Sequence, residues 1–203
     1  MDKNLFWQII DTVNNQVSAD DYEGILRVTQ EELCKYSWED VFRWYDIQGE
    51  YVGLACKDSI LAAFCILGKY ITDSSFLDFR TWLVSRGRDV YMAALNHPDS
   101  LADLELPTNN QGMVNVTFEQ YGYVAMDAYE TAGHTVNDFY AERKKYLRLS
   151  SEDEADLLAD IEYFPRRIRN HYTARKHLPK LYAKYITSGR KLHLPVNLGK
   201  LGQ

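Results

Sequence analysis

The longest apolar run of the chain reads Ser59-Ile60-Leu61-Ala62-Ala63-Phe64-Cys65-Ile66-Leu67-Gly68. A helix built from this run is apolar on nearly all sides, which is typical of a helix buried at the centre of a bundle. The run has about half of the roughly 20 residues that a helix needs to cross a bilayer. The sequence therefore predicts a buried core helix over Asp58 to Ile71 rather than a membrane span.

Helical patterns surround this run on both sides. Apolar residues recur at steps of three and four in three stretches. Asp2 or Asn4 can cap the first helix, Ser18 stands before Asp20 and Asp21 at the start of the second, and Ser37 opens the third. Thr72-Asp73-Ser74-Ser75 supplies turn and cap residues for the next helix, and Gly87 fits the position just after its end. Further helices are predicted over 88–96 and 119–131, and another begins at Ser150.

These patterns predict an all-α protein. We expect an irregular bundle of about seven to nine helices. Pro107, Asn109, Asn110 and Gly112 indicate a loop, and at most a very short strand pair is expected near residues 113–118.

The composition is that of a folded protein, with 46% hydrophobic and 13% aromatic residues among 203. The formal net charge of −6 conceals a strong asymmetry. Residues 1–162 contain 29 acidic and 13 basic residues, whereas residues 163–203 contain 10 basic residues and no acidic one. We therefore divide the chain into an acidic helical domain, 1–162, and a basic C-terminal helical segment, 163–203, that docks on it.

The three cysteines, Cys34, Cys56 and Cys65, show neither CxxC spacing nor nearby histidines. This pattern indicates a reducing compartment and predicts neither a metal site nor a cofactor. The first residues lack a basic region followed by an apolar run, so no signal peptide is expected. The predicted location is the cytoplasm.

Several motifs in the first two thirds of the chain occur together in one known family. They are Phe6-Trp7-Gln8-Ile9-Ile10, the run Asp73, Phe76, Phe79-Arg80, Trp82-Leu83, the step Gly87-Arg88, and Asn96-His97-Pro98-Asp99-Ser100-Leu101. Over residues 1–130 the chain thus resembles the bacterial domain-of-unknown-function family 4240. The resemblance implies a soluble bacterial protein and brings no catalytic residues with it.

Charged residues and a tryptophan within this motif are candidates for a binding pocket. They are Asp73, Asp78, Arg80, Trp82, Arg86, Arg88 and Asp99. Arginines in a polar pocket can bind an anion or a carboxylate of a partner. The alternative is structural, because Asp73 and Asp99 stand where helices begin and the arginine stems can cover apolar surface.

The basic segment offers a second set of candidates. Cations mixed with aromatic rings are typical of nucleic-acid surfaces, and the cations concerned are Arg166, Arg167, Arg169, Arg175 and Lys176. Arg166 and His171 also match the R-x4-H spacing of the helical HEPN ribonucleases, which makes them catalytic candidates, although Arg167 departs from that pattern. The alternative is a docking helix, which the apolar spacing between Leu178 and Ile186 favours.

Three hypotheses on function follow. The first is a non-enzymatic protein that binds another bacterial protein, as a regulator or as an immunity-type inhibitor of a toxin, because the body is acidic, rich in tyrosine and without a catalytic motif. The second is a nucleic-acid-binding protein or ribonuclease that uses the basic segment. The third is an enzyme that acts on a small anionic substrate near Arg80 and Arg86.

Overall fold

The computed structural model describes residues 1–68, 71–109, 112–146, 149–159 and 171–186. Within these ranges the helices are Lys3–Asn14 (α1), Tyr22–Leu33 (α2), Trp38–Leu54 (α3), Asp58–Leu67 (α4), Asp73–Ser85 (α5), Arg88–Asn96 (α6), Val124–Thr131 (α7), Val136–Arg143 (α8), Ser151–Ala159 (α9), His171–His177 (α10) and Pro179–Leu181 (α11). The described residues also form three helical turns. Two are 3₁₀ turns, Pro98–Asp103 (η1) and Glu119–Tyr123 (η2), and one is a π-helical turn over Tyr182–Ile186. The all-α prediction is confirmed.

The central apolar run forms α4, in which every residue from Ile60 to Leu67 is buried. Helices α5 and α6 and the turn η1 pack around it. The helix ends at Leu67, before the predicted Ile71, because Gly68 adopts an extended conformation with ψ of 156°. A Cβ at Gly68 would come within 2.9 Å of the Phe64 ring, so the close turn requires glycine there.

Aromatic rings hold α1, α3 and α6 together. The Trp7 ring centroid lies 4.6 Å from that of Tyr51, which in turn lies 5.4 Å from that of Tyr91. The Tyr91 hydroxyl donates to the Tyr51 carbonyl at 2.6 Å. Phe6 joins the same cluster and packs on Trp44, with ring centroids 5.2 Å apart. All five rings are buried, which makes this the rigid centre of the fold.

Among the alternatives that the sequence left open, the structure shows which side chains cap the first helices. Asp2, Asp21 and Ser37 each accept a hydrogen bond from a backbone N–H in the first turn of α1, α2 and α3. Thr72 forms a reciprocal capping box with Ser75 at the start of α5. Gly87 follows the end of α5 with φ of +90°, as the sequence predicts.

One helix was not expected from the sequence, whereas the expectation of at most a very short strand pair near residues 113–118 agrees with the structure. Helix α8 was not predicted, because it has eight residues and only Phe139 is buried. Its reciprocal capping box between Thr135 and Asp138 is a signal that could have revealed it. Among the described residues no strand forms near 113–118, and the chain there makes a single antiparallel bridge between Thr108 and Val114.

The described part of the basic segment packs against α4 and η1. Leu178, Leu181 and Ile186 are buried, and Asp99 accepts hydrogen bonds from the backbone N–H groups of Lys180 and Leu181 at 3.0 and 2.9 Å. The predicted boundary between residues 162 and 163 lies outside the described residues, as do residues 187–203.

Candidate functional site

A cleft of about 510 Å³ opens on the surface between α3, α5, η2, α8 and α9. Five carboxylates line it, and we refer to it as the acidic cleft: they are Asp46, Glu50, Asp78, Glu119 and Glu154. Arg143 is the one cationic side chain among the described residues that line it. The cleft therefore carries a net negative charge on a concave surface.

Helix geometry explains how two elements contribute to this surface. Asp46 and Glu50 stand four residues apart on α3, which places both side chains on the same face. On α5 the lining residues are Ser74, Leu77, Asp78 and Thr81, a spacing of three and four that also defines one face.

The turn η2 closes the cleft next to α5. The Phe118 N–H donates to the Asp78 carbonyl at 3.1 Å, which fixes the beginning of η2 against this helix. Glu119, the next residue, thereby comes to lie beside the Asp78 carboxylate.

Among the described residues, only Asp46 of the cleft carboxylates has a cationic partner. It accepts a hydrogen bond from Arg143 Nε at 2.7 Å, and the Arg143 guanidinium also lies 5.0 Å from the centroid of the Tyr45 ring. Glu50, Asp78, Glu119 and Glu154 form no ion pair with any described residue.

The pKa values of two cleft carboxylates, Glu50 and Asp78, are raised. Burial raises the pKa of Glu50, and the nearby charges of Glu154 and Asp46 raise it further. Burial also raises the pKa of Asp78, with a smaller contribution from Glu119. A cation bound in the cleft would lower the pKa values of both carboxylates.

The floor of the acidic cleft carries an uncharged amide side chain, and its edge carries two exposed apolar side chains. Gln48 is 3% exposed, and its Nε2 donates to the Tyr121 carbonyl at 2.9 Å, while its Oε1 receives no hydrogen bond from a described residue. Leu77 and Tyr123 are large side chains that remain about half exposed at the edge. The cleft therefore combines hydrogen-bond acceptors with apolar surface, which suits a cationic ligand with a hydrocarbon stem.

The comparison with protein families assigns residues 1–131 to a single family, described as a protein of unknown function (DUF4240). This chain belongs to the DUF4240 family. The resemblance over residues 1–130 is thus confirmed. No curated protein and no solved structure matches the chain.

The family region supplies most of the acidic cleft and the segment after it completes the cleft. Asp46, Glu50, Asp78 and Glu119 lie within residues 1–131. Glu154 and Arg143 lie beyond the family region, on α9 and α8. The two parts of the chain meet at this surface.

The DUF4240 motif residues on α5 separate onto different faces. Asp78 lines the acidic cleft, and Asp73 is exposed in the first turn of the helix. Arg80 donates from Nη1 to the Val52 carbonyl at 2.9 Å, and Trp82 is buried in the core.

The other motif candidates lie farther along the chain. Arg86 stands at the end of α5 beside a second, smaller cavity, and Arg88 begins α6. Asp99 caps the backbone of α11. The structure therefore distributes the motif candidates over several sites, and of these candidates only Trp82 and Arg86 share a cavity among the described residues.

The basic candidates are only partly within the described residues. Arg166, Arg167 and Arg169 lie outside them, and of His171 the structure describes the backbone alone. Arg175 and Lys176 are exposed on α10. The R-x4-H hypothesis therefore stays a prediction.

Neither a membrane-crossing helix nor a metal-binding cluster occurs among the described residues. None of the helices there is long and apolar enough to cross a membrane. No group of three or more His, Cys, Asp or Glu side chains in those ranges could hold a metal ion.

The sequence did not reveal four of the five cleft carboxylates, since only Asp78 was a candidate. The spacing of Asp46 and Glu50 on the polar side of an amphipathic helix was a readable signal, although it is common on solvated helices. Glu119 and Glu154 offered no signal, because only tertiary packing brings them to the same surface.

Proposed function

We propose that this protein binds a basic segment of another protein in the acidic cleft. The observation that carries the proposal is the set of four carboxylates around one cleft without a cationic partner among the described residues. Negative charge on a concave surface attracts and orients a positively charged partner.

The pKa directions support a cationic ligand. Glu50 and Asp78 are held in a site where burial and like charge oppose their ionised form. An ammonium or guanidinium group removes that repulsion and forms charge-assisted hydrogen bonds with the same oxygens. The Oε1 of Gln48, which accepts no hydrogen bond from the described residues, provides another acceptor for such a donor-rich group.

The apolar edge supports a protein segment as the source of the cation. Exposed Leu77 and Tyr123 offer contact area for aliphatic stems or for an apolar residue next to a basic one. A nucleic acid is disfavoured at this surface, because its phosphates would face unpaired carboxylates. The nucleic-acid hypothesis then rests on the basic segment alone.

A role as a non-enzymatic regulator or immunity-type inhibitor fits this kind of binding, because inhibition requires a complementary surface and no catalytic group. A bacterial source and a cytoplasmic location remain part of the proposal.

The experiment uses fluorescence anisotropy with a labelled peptide of alternating arginine and leucine. We expect the double variant Glu50→Gln, Asp78→Asn to weaken binding by at least about tenfold. The control variant Glu23→Gln, Glu130→Gln removes two exposed carboxylates outside the cleft, so it has the same net charge. Equal losses in both variants would show unspecific attraction and would overturn the proposal.

The same pair of variants serves as bait for the natural partner. A partner captured by the unmodified protein and by the control, but not by the cleft variant, would support the proposal. A partner captured equally by all three baits binds elsewhere and would contradict it.

A further inference from the structure

A second cavity, of about 200 Å³, lies beside the C-terminal end of α5. Its walls are mainly apolar and consist of Val17, Trp82, Val90, Leu104, Leu106 and Pro107. The polar side chains that line it are Asn14, Arg86 and Glu105. The cavity is distinct from the acidic cleft, because none of its lining residues is shared with that cleft.

The hydrogen bonds of Arg86 all go to neutral acceptors. Its Nη1 donates to the Ala19 carbonyl at 2.8 Å, and its Nε and Nη2 donate to the Ser85 hydroxyl oxygen at 3.1 and 2.9 Å. A guanidinium carries five N–H donors, so one on Nη1 and one on Nη2 have no acceptor among the described residues.

The remaining surroundings of Arg86 are aromatic. Its guanidinium carbon lies 5.7 Å from the centroid of the Trp82 ring and 6.0 Å from that of Tyr22. No described carboxylate forms an ion pair with it, and Glu105 is exposed at the rim. Burial lowers the pKa of Arg86, which the Tyr22 and Tyr121 hydroxyl groups only partly oppose.

A largely buried cation without a counter-charge is unusual, because desolvation of a charge is costly unless an opposite charge accompanies it. Here the charge borders an open cavity with two donors unused. We infer that the cavity is a binding site for a small organic monocarboxylate, whose carboxylate pairs with Arg86 and whose apolar body fills the space against Trp82 and Leu106.

The chemistry of the walls selects this class of ligand. One guanidinium balances one negative charge, so a phosphate dianion would leave a second charge against apolar walls. A carboxylate accepts two parallel N–H bonds from a guanidinium, which matches the two unused donors. An uncharged molecule of the same shape would leave the Arg86 charge unbalanced.

The test titrates the full-length protein with benzoate, benzyl alcohol and inorganic phosphate by calorimetry. We expect saturable binding of benzoate, with affinity at least about tenfold above that of benzyl alcohol. Tighter binding of phosphate than of benzoate, equal binding of benzyl alcohol, or no binding of benzoate at concentrations up to about 10 mM would each overturn the inference. This comparison needs no variant and so does not depend on folding of a mutant.

Variants and mapping then locate the site. Arg86→Met should lower the benzoate affinity at least about tenfold, whereas Arg27→Met, which removes an exposed arginine on α2, should leave it unchanged. Glu105→Gln should increase the affinity, because it removes a like charge at the rim. Amide shift changes in nitrogen-15 spectra should concentrate at residues 14–19, 82–90 and 104–107, and a map centred elsewhere would contradict the assignment.

Discussion

Arg143 and Asp46 form an ion pair that joins α8 to α3 at the edge of the acidic cleft, with Arg143 Nε 2.7 Å from Asp46 Oδ1. The two residues are 97 positions apart in the chain, and only Asp46 belongs to the family region. This pair both anchors α8 and removes one negative charge from the cleft.

Replacing Arg143 should therefore have two opposite effects. Arg143→Gln is expected to lower the free energy of unfolding by about 1 to 2 kcal/mol, because the pair is partly buried. The same variant should bind the basic peptide more tightly, since Asp46 is released. Urea denaturation and anisotropy measure the two quantities. Lys145→Gln, which breaks an exposed pair with Glu142, is the control and should change neither.

Glu50→Gln should weaken binding of the basic peptide and stabilise the free protein at neutral pH. The pKa of Glu50 is higher in the folded protein than in the unfolded chain. Below the pKa of the unfolded chain the carboxyl is protonated in both states, and the stability of the fold is fully present. As the pH rises through the pKa of the folded protein, this part of the free energy of unfolding is lost. Thermal unfolding should show a higher midpoint for the variant at pH 7 and a vanishing difference in acid. A variant less stable at pH 7 would contradict the assignment of Glu50 as a functional, strained carboxylate.

Binding itself should depend on pH in a defined direction. A cationic peptide requires ionised Glu50 and Asp78, so its affinity should fall as the pH is lowered through their raised pKa values. Anisotropy titrations across this range provide the measurement. An affinity that rises in acid would exclude these carboxylates as the ligands of the cation.

Asp153 is expected to hold α9 in place. Its carboxylate accepts from the Ser150 hydroxyl and N–H and pairs with Arg43 on α3, and these contacts lower its pKa to about 2. Asp153→Asn should cost about 1 kcal/mol at pH 7, as loss of a helix cap does. Because the pKa of Asp153 is depressed, the difference in stability from the unmodified protein should disappear as the pH falls from the ordinary aspartate value of 3.8 towards about 2. Glu152→Gln, at the neighbouring exposed position, is the matched control for urea denaturation.

Asp99 is expected to hold α10 and α11 on the body. Asp99→Ala leaves the N–H groups of Lys180 and Leu181 without their acceptor and should accelerate amide hydrogen exchange in residues 171–186. Asp103→Asn removes only an exposed pair with Lys180 and should leave exchange nearly unchanged. If amide exchange accelerated equally in both variants, negative charge rather than the hydrogen bonds from the Lys180 and Leu181 N–H groups would hold α10 and α11, and the prediction would be wrong.

Local sequence signals were sufficient for the helices of the family region. Capping residues such as Asp2, Ser37 and Thr72 and the periodicity of apolar residues act within a few positions, so each can be read without knowledge of the fold. The weak amphipathic pattern of α8, with Phe139 as its one buried residue, gave no periodicity to read, so the capping box of Thr135 and Asp138 was its local signal.

The candidate site was less accessible to such reasoning. Each residue of a helix is rotated by about 100° from the last, so Asp78, Arg80 and Trp82 point to different surroundings although they are close in sequence. Conversely, Glu119 and Glu154 meet Asp78 and Glu50 only because η2 and α9 pack on α5 and α3. Proximity in a motif was a poor guide to proximity in space.

The position of the family boundary has a consequence for how binding preference could change. Residues 1–131 form the floor of the acidic cleft, whereas α8 and α9 form a wall. This wall is attached through two ion pairs, Arg143 with Asp46 and Asp153 with Arg43, and through one buried side chain from each helix, Phe139 and Leu157. The Phe139 ring packs on Phe42, Tyr45 and Tyr129 and on none of the five rings at the aromatic centre of the fold, so a replacement that keeps an apolar residue at this place would leave that centre undisturbed. Grafting a different helical pair after residue 131 would thus alter the choice of partner while the scaffold stays intact.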